Sequence, residues 1–174
     1  MRAAEFYDRI TVGGIAVIDE IVKLLEEEGI RYCVIGGQAV NYYAEPLVSL
    51  DLDLVVATDQ IEVAEELLAQ RFPVRRFPHS INADPGDSAL RVRIQTDPRY
   101  ADFVERAGRG ELLGVEIPVA AMQDVLHGKV WAVQDPSRRA SKRQEDLADI
   151  ARLIEGNPSL RASVPPEIPQ RIKS

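Results

Sequence analysis

Apolar residues recur at helical spacing through Ile15, Ile18, Ile21, Val22 and Leu25, which predicts a helix over 15–28. Gly29 stands where such a helix closes, just past its cap. RYCVI (31–35) reads as a buried strand, and GGQAVNYYA (36–44) as a glycine turn running into a short helix. LDLDLVVA (50–57) is a second strand. A helix over 58–72 follows, with Thr58 or Asp59 as N-cap and acids in its first half. VRRF suits a short strand, and 78–88 carries the turn signals of a polar loop. ALRVRIQT (89–96) alternates cleanly between apolar and polar residues, the mark of a strand. PRYADFVERA (98–107) opens with proline at the first helical position and predicts a helix, and LLGVEIPVA (112–120) predicts a strand. Two helices follow over 120–134 and 138–155. The segment 157–174 is proline-rich and polar, and is expected to be extended or loosely docked. This order predicts an α/β (α+β) fold over 1–156, a small mixed sheet with flanking helices and a helical C-terminal part from about 120.

One strand breaks the pattern. Asp51 and Asp53 lie two apart in SLDLDLVV, so both carboxylates point to one face while Leu52, Leu54 and Val56 point to the other. Like charges side by side repel, and a buried carboxylate without a partner is costly. Upstream, VIGGQAV takes a strand through two glycines into a helix. Glycine lets the backbone approach a ligand closely, and free N–H groups at a helix start attract phosphate. Thirteen residues separate Gly37 from Asp51, room for one helix and a return strand. The turn and the aspartates can then meet at the ends of neighbouring strands. Mg²⁺ takes one or two carboxylates plus substrate phosphates, which would offset the repulsion and stabilise charge on a phosphoryl group. A solvated acidic face on an edge strand is the alternative.

Charge and composition narrow the setting. Of 174 residues 45% are hydrophobic, enough for a core, and the formal net charge is -7, so a polyanion needs a local basic patch. The best candidate is SRRASKR, with Arg138, Arg139, Lys142 and Arg143 in six residues, although such runs also open ordinary solvated helices. The lone Cys33 sits in an apolar run and reads as a buried, inert thiol that can form no intramolecular disulfide. No stretch approaches the ~20 apolar residues of a membrane span, and MRAAEFYDRI has no signal-peptide core. A cytoplasmic protein with no membrane partner is expected.

In the C-terminal helices, Met122, Val125, Leu126, Val130 and Val133 form an apolar stripe whose missing position is Lys129. Its amine either snorkels to the rim or points into a cleft. On the last helix Leu147, Ile150, Ala151 and Ile154 make the core face, with Asp146 at its edge, Asp149 further round and Arg143 close to the core side. Asp146 can join a metal site, orient a substrate group, or pair Arg143 or Arg139. His79 and His127 are expected to be structural.

The Gly-Gly pair followed by DLDL resembles the signature of the DNA polymerase β-like nucleotidyltransferase superfamily. LHGKVWAVQDPSRRASKRQEDLADIARL is similar to its AbiEii-type (minimal nucleotidyltransferase) branch, with a lysine on one helix and a basic run leading into an Asp-x-x-Asp helix. The resemblance covers about 31–155 and implies a nucleotidyltransferase-type sheet. It implies Mg²⁺ (or Mn²⁺) held by Asp51 and Asp53, with an NTP bound by Gly36, Gly37, Ser49, Lys129 and Arg143, and Asp146 as a further catalytic acid. The activity implied is transfer of a nucleotidyl group from an NTP to a hydroxyl of RNA, protein or a small molecule. The chain departs from the family in two places. Many members of that family carry a third carboxylate on the strand matching ALRVRIQTD, whose outward residues here are Arg91, Arg93 and Gln95, with no acid until Asp97. An arginine common four residues before the first aspartate is Leu47 here, while Ser49 keeps the small hydroxyl. These departures favour a second reading, a catalytically weak nucleotide-binding module that acts as a sensor or as a toxin–antitoxin partner, with an antitoxin or a second copy as its partner.

Overall fold

The computed structural model describes residues 2–168. Helices α1 (Ala3–Thr11) and α2 (Gly14–Glu27) are separated by a left-handed pair, Val12 and Gly13. Gly29 closes α2 at positive φ, with Gly29 N–H donating to Glu26 O and Ile30 N–H to Leu25 O, which satisfies the last carbonyls. The chain continues through β1 (Tyr32–Ile35), α3 (Gly36–Tyr43), β2 (Asp51–Val56), α4 (Ile61–Ala69), β3 (Val74–Phe77), β4 (Ser80–Ala83) and β5 (Arg91–Gln95). Then come α5 (Phe103–Arg106), β6 (Gly108–Leu112), β7 (Val115–Val119), α6 (Met122–Gln134) and α7 (Ala140–Gly156).

Seven strands form one mixed sheet in the order β3-β4-β5-β2-β1-β7-β6. β2 runs antiparallel to β1 and parallel to β5, and β7 runs parallel to β1. The expected fold is therefore present, with more strands than periodicity showed. The expected loop 78–88 contains β4, a four-residue strand whose Ile81 and Ala83 are buried while Ser80 and Asn82 are half-buried. The expected strand 112–120 is the second arm of a hairpin. Leu113 and Gly114, both at positive φ, make the two-residue turn that sends β6 back along β7. The helix expected over 98–107 is broken into a 3₁₀ turn, Pro98–Tyr100, and the single turn of α5. Asp97 caps the first by accepting from the Arg99 N–H.

α2 and α4 pack on each other and on the sheet, while α6 and α7 pack together and on α3. Cys33 is fully buried in the core as expected, and burial, with Asp124 nearby, pushes its thiol up to about 12. The segment after Gly156 is not loosely docked over its described part. Pro158–Ser163 forms a 3₁₀ turn, and Leu160, Val164 and Ile168 are buried. Residues 169–174, where the remainder of the proline-rich segment falls, lie outside the described residues. No helix among the described residues is long and apolar enough to cross a membrane.

Candidate functional site

β1 and β2 pair with Ile35 opposite Asp53, so the end of β1 delivers the glycine turn directly beside the second aspartate. Gly36 adopts φ +69, and a Cβ there would lie 2.5 Å from Asp53 Oδ2. Only glycine meets both conditions. A Cβ on Gly37 would sit 3.0 Å from Ser49 Oγ. The turn is thus wedged between Ser49 and Asp53, and α3 starts there with no side-chain cap and no acid in its first turn. Behind it the buried Gln38 donates to the Tyr7 hydroxyl and to Ser49 O, tying α1, α3 and the approach to β2 together.

Asp51 and Asp53 share a face, and their repulsion is already offset within the chain. The parallel register of β2 and β5 sets Arg91 opposite Asp51 and Arg93 opposite Asp53. Arg91 Nε reaches Asp51 Oδ1 at 2.6 Å, and Arg93 Nε reaches Asp53 Oδ1 at 3.0 Å. Asp53, which outweighs partial burial, raises the Arg93 pKa further. The strand expected from the resemblance to supply a third acid therefore carries base opposite both aspartates. Among the described residues, no group of three or more His, Cys, Asp or Glu side chains gathers around a common point.

A second charged cluster joins α6 to α7. Lys129 does not snorkel. Its Nζ lies 3.0 Å from Asp146 Oδ1 and 2.8 Å from Asp149 Oδ2, with the side chain only 12% exposed. Burial pulls the Lys129 ammonium down, but Asp149 and Asp146 outweigh it and its pKa ends above the usual lysine value. Asp146, 1% exposed, pairs neither Arg143 nor Arg139. Its second partner is Arg138, which approaches bidentately at 2.8 and 3.1 Å. Arg152 lies 3.7 Å from Asp149 and donates to Asn41 Oδ1, linking the cluster to α3.

One open cleft of about 1000 Å³ collects these groups. Gly37, Ser49, Asp51, Asp53, Lys129 and Asp146 all line it. Arg143 does not. Its guanidinium donates to Asp135 O and Arg138 O, bracing the α6–α7 connection. Gly36, half-buried against Asp53, does not line the cleft either. His79 and His127 are outside the cleft, and His127 stacks near Trp131. Periodicity left several lining groups unassigned. Arg91 and Arg93 stood out only as missing acids, and Asn82 and Arg75 gave no signal, because cross-strand register is invisible in one chain's spacing.

The seven-stranded mixed sheet with its flanking helices matches nucleotidyltransferase-like folds. Structures similar to this chain bear that out. ANT(2'')-Ia in complex with adenylyl-2''-tobramycin has a TM-score of 0.61 at 15% identity, with 92% of this chain and 99% of that one covered. An antigenic nucleotidyltransferase-like protein from Paracoccidioides brasiliensis has 0.55 at 20% identity, covering 80% of this chain and 74% of that one. Lincomycin-bound LnuA, a lincosamide antibiotic adenylyltransferase, has 0.53 at 12% identity, covering 78% and 95%. No family model and no curated protein sequence matches the chain.

Proposed function

We propose that this chain transfers a nucleotidyl group from an NTP to an acceptor hydroxyl. The observation that carries the reading is the wedge of Gly36 and Gly37 against Asp53 and Ser49, beside a cleft lined by Gly37, Ser49, Asp53 and Lys129. In the reaction the acceptor oxygen bonds to the α-phosphorus while the bond from that phosphorus to its bridging oxygen breaks. Pyrophosphate leaves with the electron pair, and the hydroxyl proton passes to water in the open cleft. The first N–H groups of α3 receive phosphate oxygens, and Ser49 lies beside them. Lys129 faces the same charge with a fixed ammonium, and Asp146 is the positioning residue that holds Lys129 and Arg138 in place.

The donor set fits a single Mg²⁺ (or Mn²⁺). Asp51 and Asp53 each commit only Oδ1 to an arginine, which leaves two hard oxygens for an ion whose other positions fall to water and phosphate. Such an ion would stabilise charge on the transferring phosphoryl group. The AbiEii-type branch is part of this reading, because both acids of the Asp-x-x-Asp helix converge on the lysine of the preceding one. So is a cytoplasmic setting, with RNA, protein or a small molecule as acceptor.

The second reading is a nucleotide-binding module with little catalysis, a sensor or a toxin–antitoxin component paired with an antitoxin or a second copy. The arginines on both aspartates favour it. Incubation with each α-³²P-labelled NTP and Mg²⁺ or Mn²⁺, with total RNA and with the chain alone, separates the two. Metal-dependent label transfer that Asp53→Asn abolishes is the expected result. Tight NTP binding with no transfer to any acceptor supports the module, and no NTP binding at all overturns both.

A further inference from the structure

The sheet floor of the cleft carries a row of polar side chains set by register alone. Asp53 pairs with Arg93 across β2–β5, Arg93 with Asn82 across β5–β4, and Asn82 with Arg75 across β4–β3. All four line the cleft. Neighbouring strands lie about 4.8 Å apart, so Arg93 and Arg75 stand roughly 10 Å from one another with Asn82 between them. Arg93 spends Nε on Asp53, and its terminal nitrogens have no partner among the described residues. Asn82 Oδ1 is buried and unpartnered among them, and Arg75 is exposed with no ion-pair partner there. Beside the row, Arg91 adds a further guanidinium.

The row lies on one side of Asp53, and the glycine turn lies on the other, because β1 and β5 flank β2 from opposite sides. Displacement at phosphorus brings the acceptor in from the side opposite the departing pyrophosphate. With the triphosphate at the glycine turn and Lys129, the acceptor lies over β5, β4 and β3. That floor presents guanidiniums and an amide between the paired Asp51 and Asp53 on β2 and Asp84, which stands at its far edge just past β4. Guanidinium is the side chain suited to forked recognition of phosphate.

Resting on the nucleotidyl-transfer reading, we infer that the acceptor bears a phosphate group, which Arg93, Asn82 and Arg75 hold next to the hydroxyl that accepts the nucleotidyl group. Asn82 supplies N–H donors to phosphate oxygens. A polycationic acceptor is repelled by the same row.

The test is calorimetry on the full chain saturated with Mg²⁺ and α,β-methylene-ATP, which cannot transfer its nucleotidyl group at the α,β bridge. Three probes are titrated in: ribose 5-phosphate, a 5'-phosphorylated RNA trinucleotide, and spermidine. At least one phosphate probe binds and spermidine does not. Which phosphate probe binds tells a sugar phosphate from a nucleic-acid end. Arg75→Gln, an exposed change, weakens that binding about tenfold and leaves the analogue's affinity within about twofold. Arg93→Gln weakens it at least as much, with circular dichroism checking the fold. Failure of both phosphate probes, or unchanged binding in Arg75→Gln, overturns the inference and leaves the nucleotide reading standing. Failure of the analogue itself to bind overturns that reading instead.

Discussion

At the scale of single residues, the cleft depends on positions where the alternative side chain is excluded by geometry. Gly36→Ala sets a Cβ against Asp53 in a backbone conformation that L residues avoid, with an expected loss of about 2–3 kcal/mol in urea unfolding. A loss under about 0.5 kcal/mol would show that the turn relaxes freely. Lys129 is a different case. Its amine is enclosed by two acids, so Lys129→Met keeps the packing and strands part of their charge. Asp146 retains Arg138, and Asp149 retains only the more distant Arg152. The expected cost is about 2–3 kcal/mol, below that of a fully orphaned buried charge. An unchanged melt would mean that the amine is solvated after all. In the same variant NTP affinity in Mg²⁺ falls roughly tenfold or more, since a charge-assisted contact is lost. The aspartates show why one chain's spacing misleads on energetics. Periodicity correctly put Asp51 and Asp53 on one face, yet their compensation comes from Arg91 and Arg93, forty residues away in each case.

At the scale of elements, the long periodic segments were legible and the short ones were not. α2, α6, α7, β1, β2 and β5 follow from apolar spacing, because each buries a continuous face. β4 escaped because four residues between turn signals carry only two buried side chains, and α1 because its buried residues are Tyr7 and Thr11. The hairpin of β6 and β7 hid behind a non-glycine residue at positive φ, Leu113. The segment after α7 is the clearest lesson. Its prolines and polar residues suggested a loose chain, but three apolar side chains spaced four apart reach the core. Leu160 is 4% exposed, so Leu160→Ala is expected to cost about 2–3 kcal/mol, measured by urea unfolding. A loose attachment would cost less than about 0.5 kcal/mol.

At the scale of the whole molecule, local and global charge oppose each other. The chain carries a formal net charge of -7, while the cleft is lined by eight cationic and six acidic side chains. The rest of the surface is therefore more negative than the net figure, and a nucleotide approaching from afar is repelled before it is attracted. The Debye length shrinks from about 30 Å at 0.01 M salt to about 8 Å at 0.15 M. Over that range the repulsive far field is screened out first, and the cleft's own cations act mainly once the ligand is inside. A site on a uniformly basic protein loses association rate steeply as salt rises. This one should not. Stopped-flow mixing with a fluorescent ATP derivative and Mg²⁺ at the two salt concentrations is expected to show an association rate constant that stays within about threefold or rises. The dissociation rate constant is expected to increase as the contacts to Lys129 and its neighbours are weakened. An association rate that falls tenfold would mean that the cleft's positive charge dominates the far field, and that the acidic remainder of the surface does not govern approach.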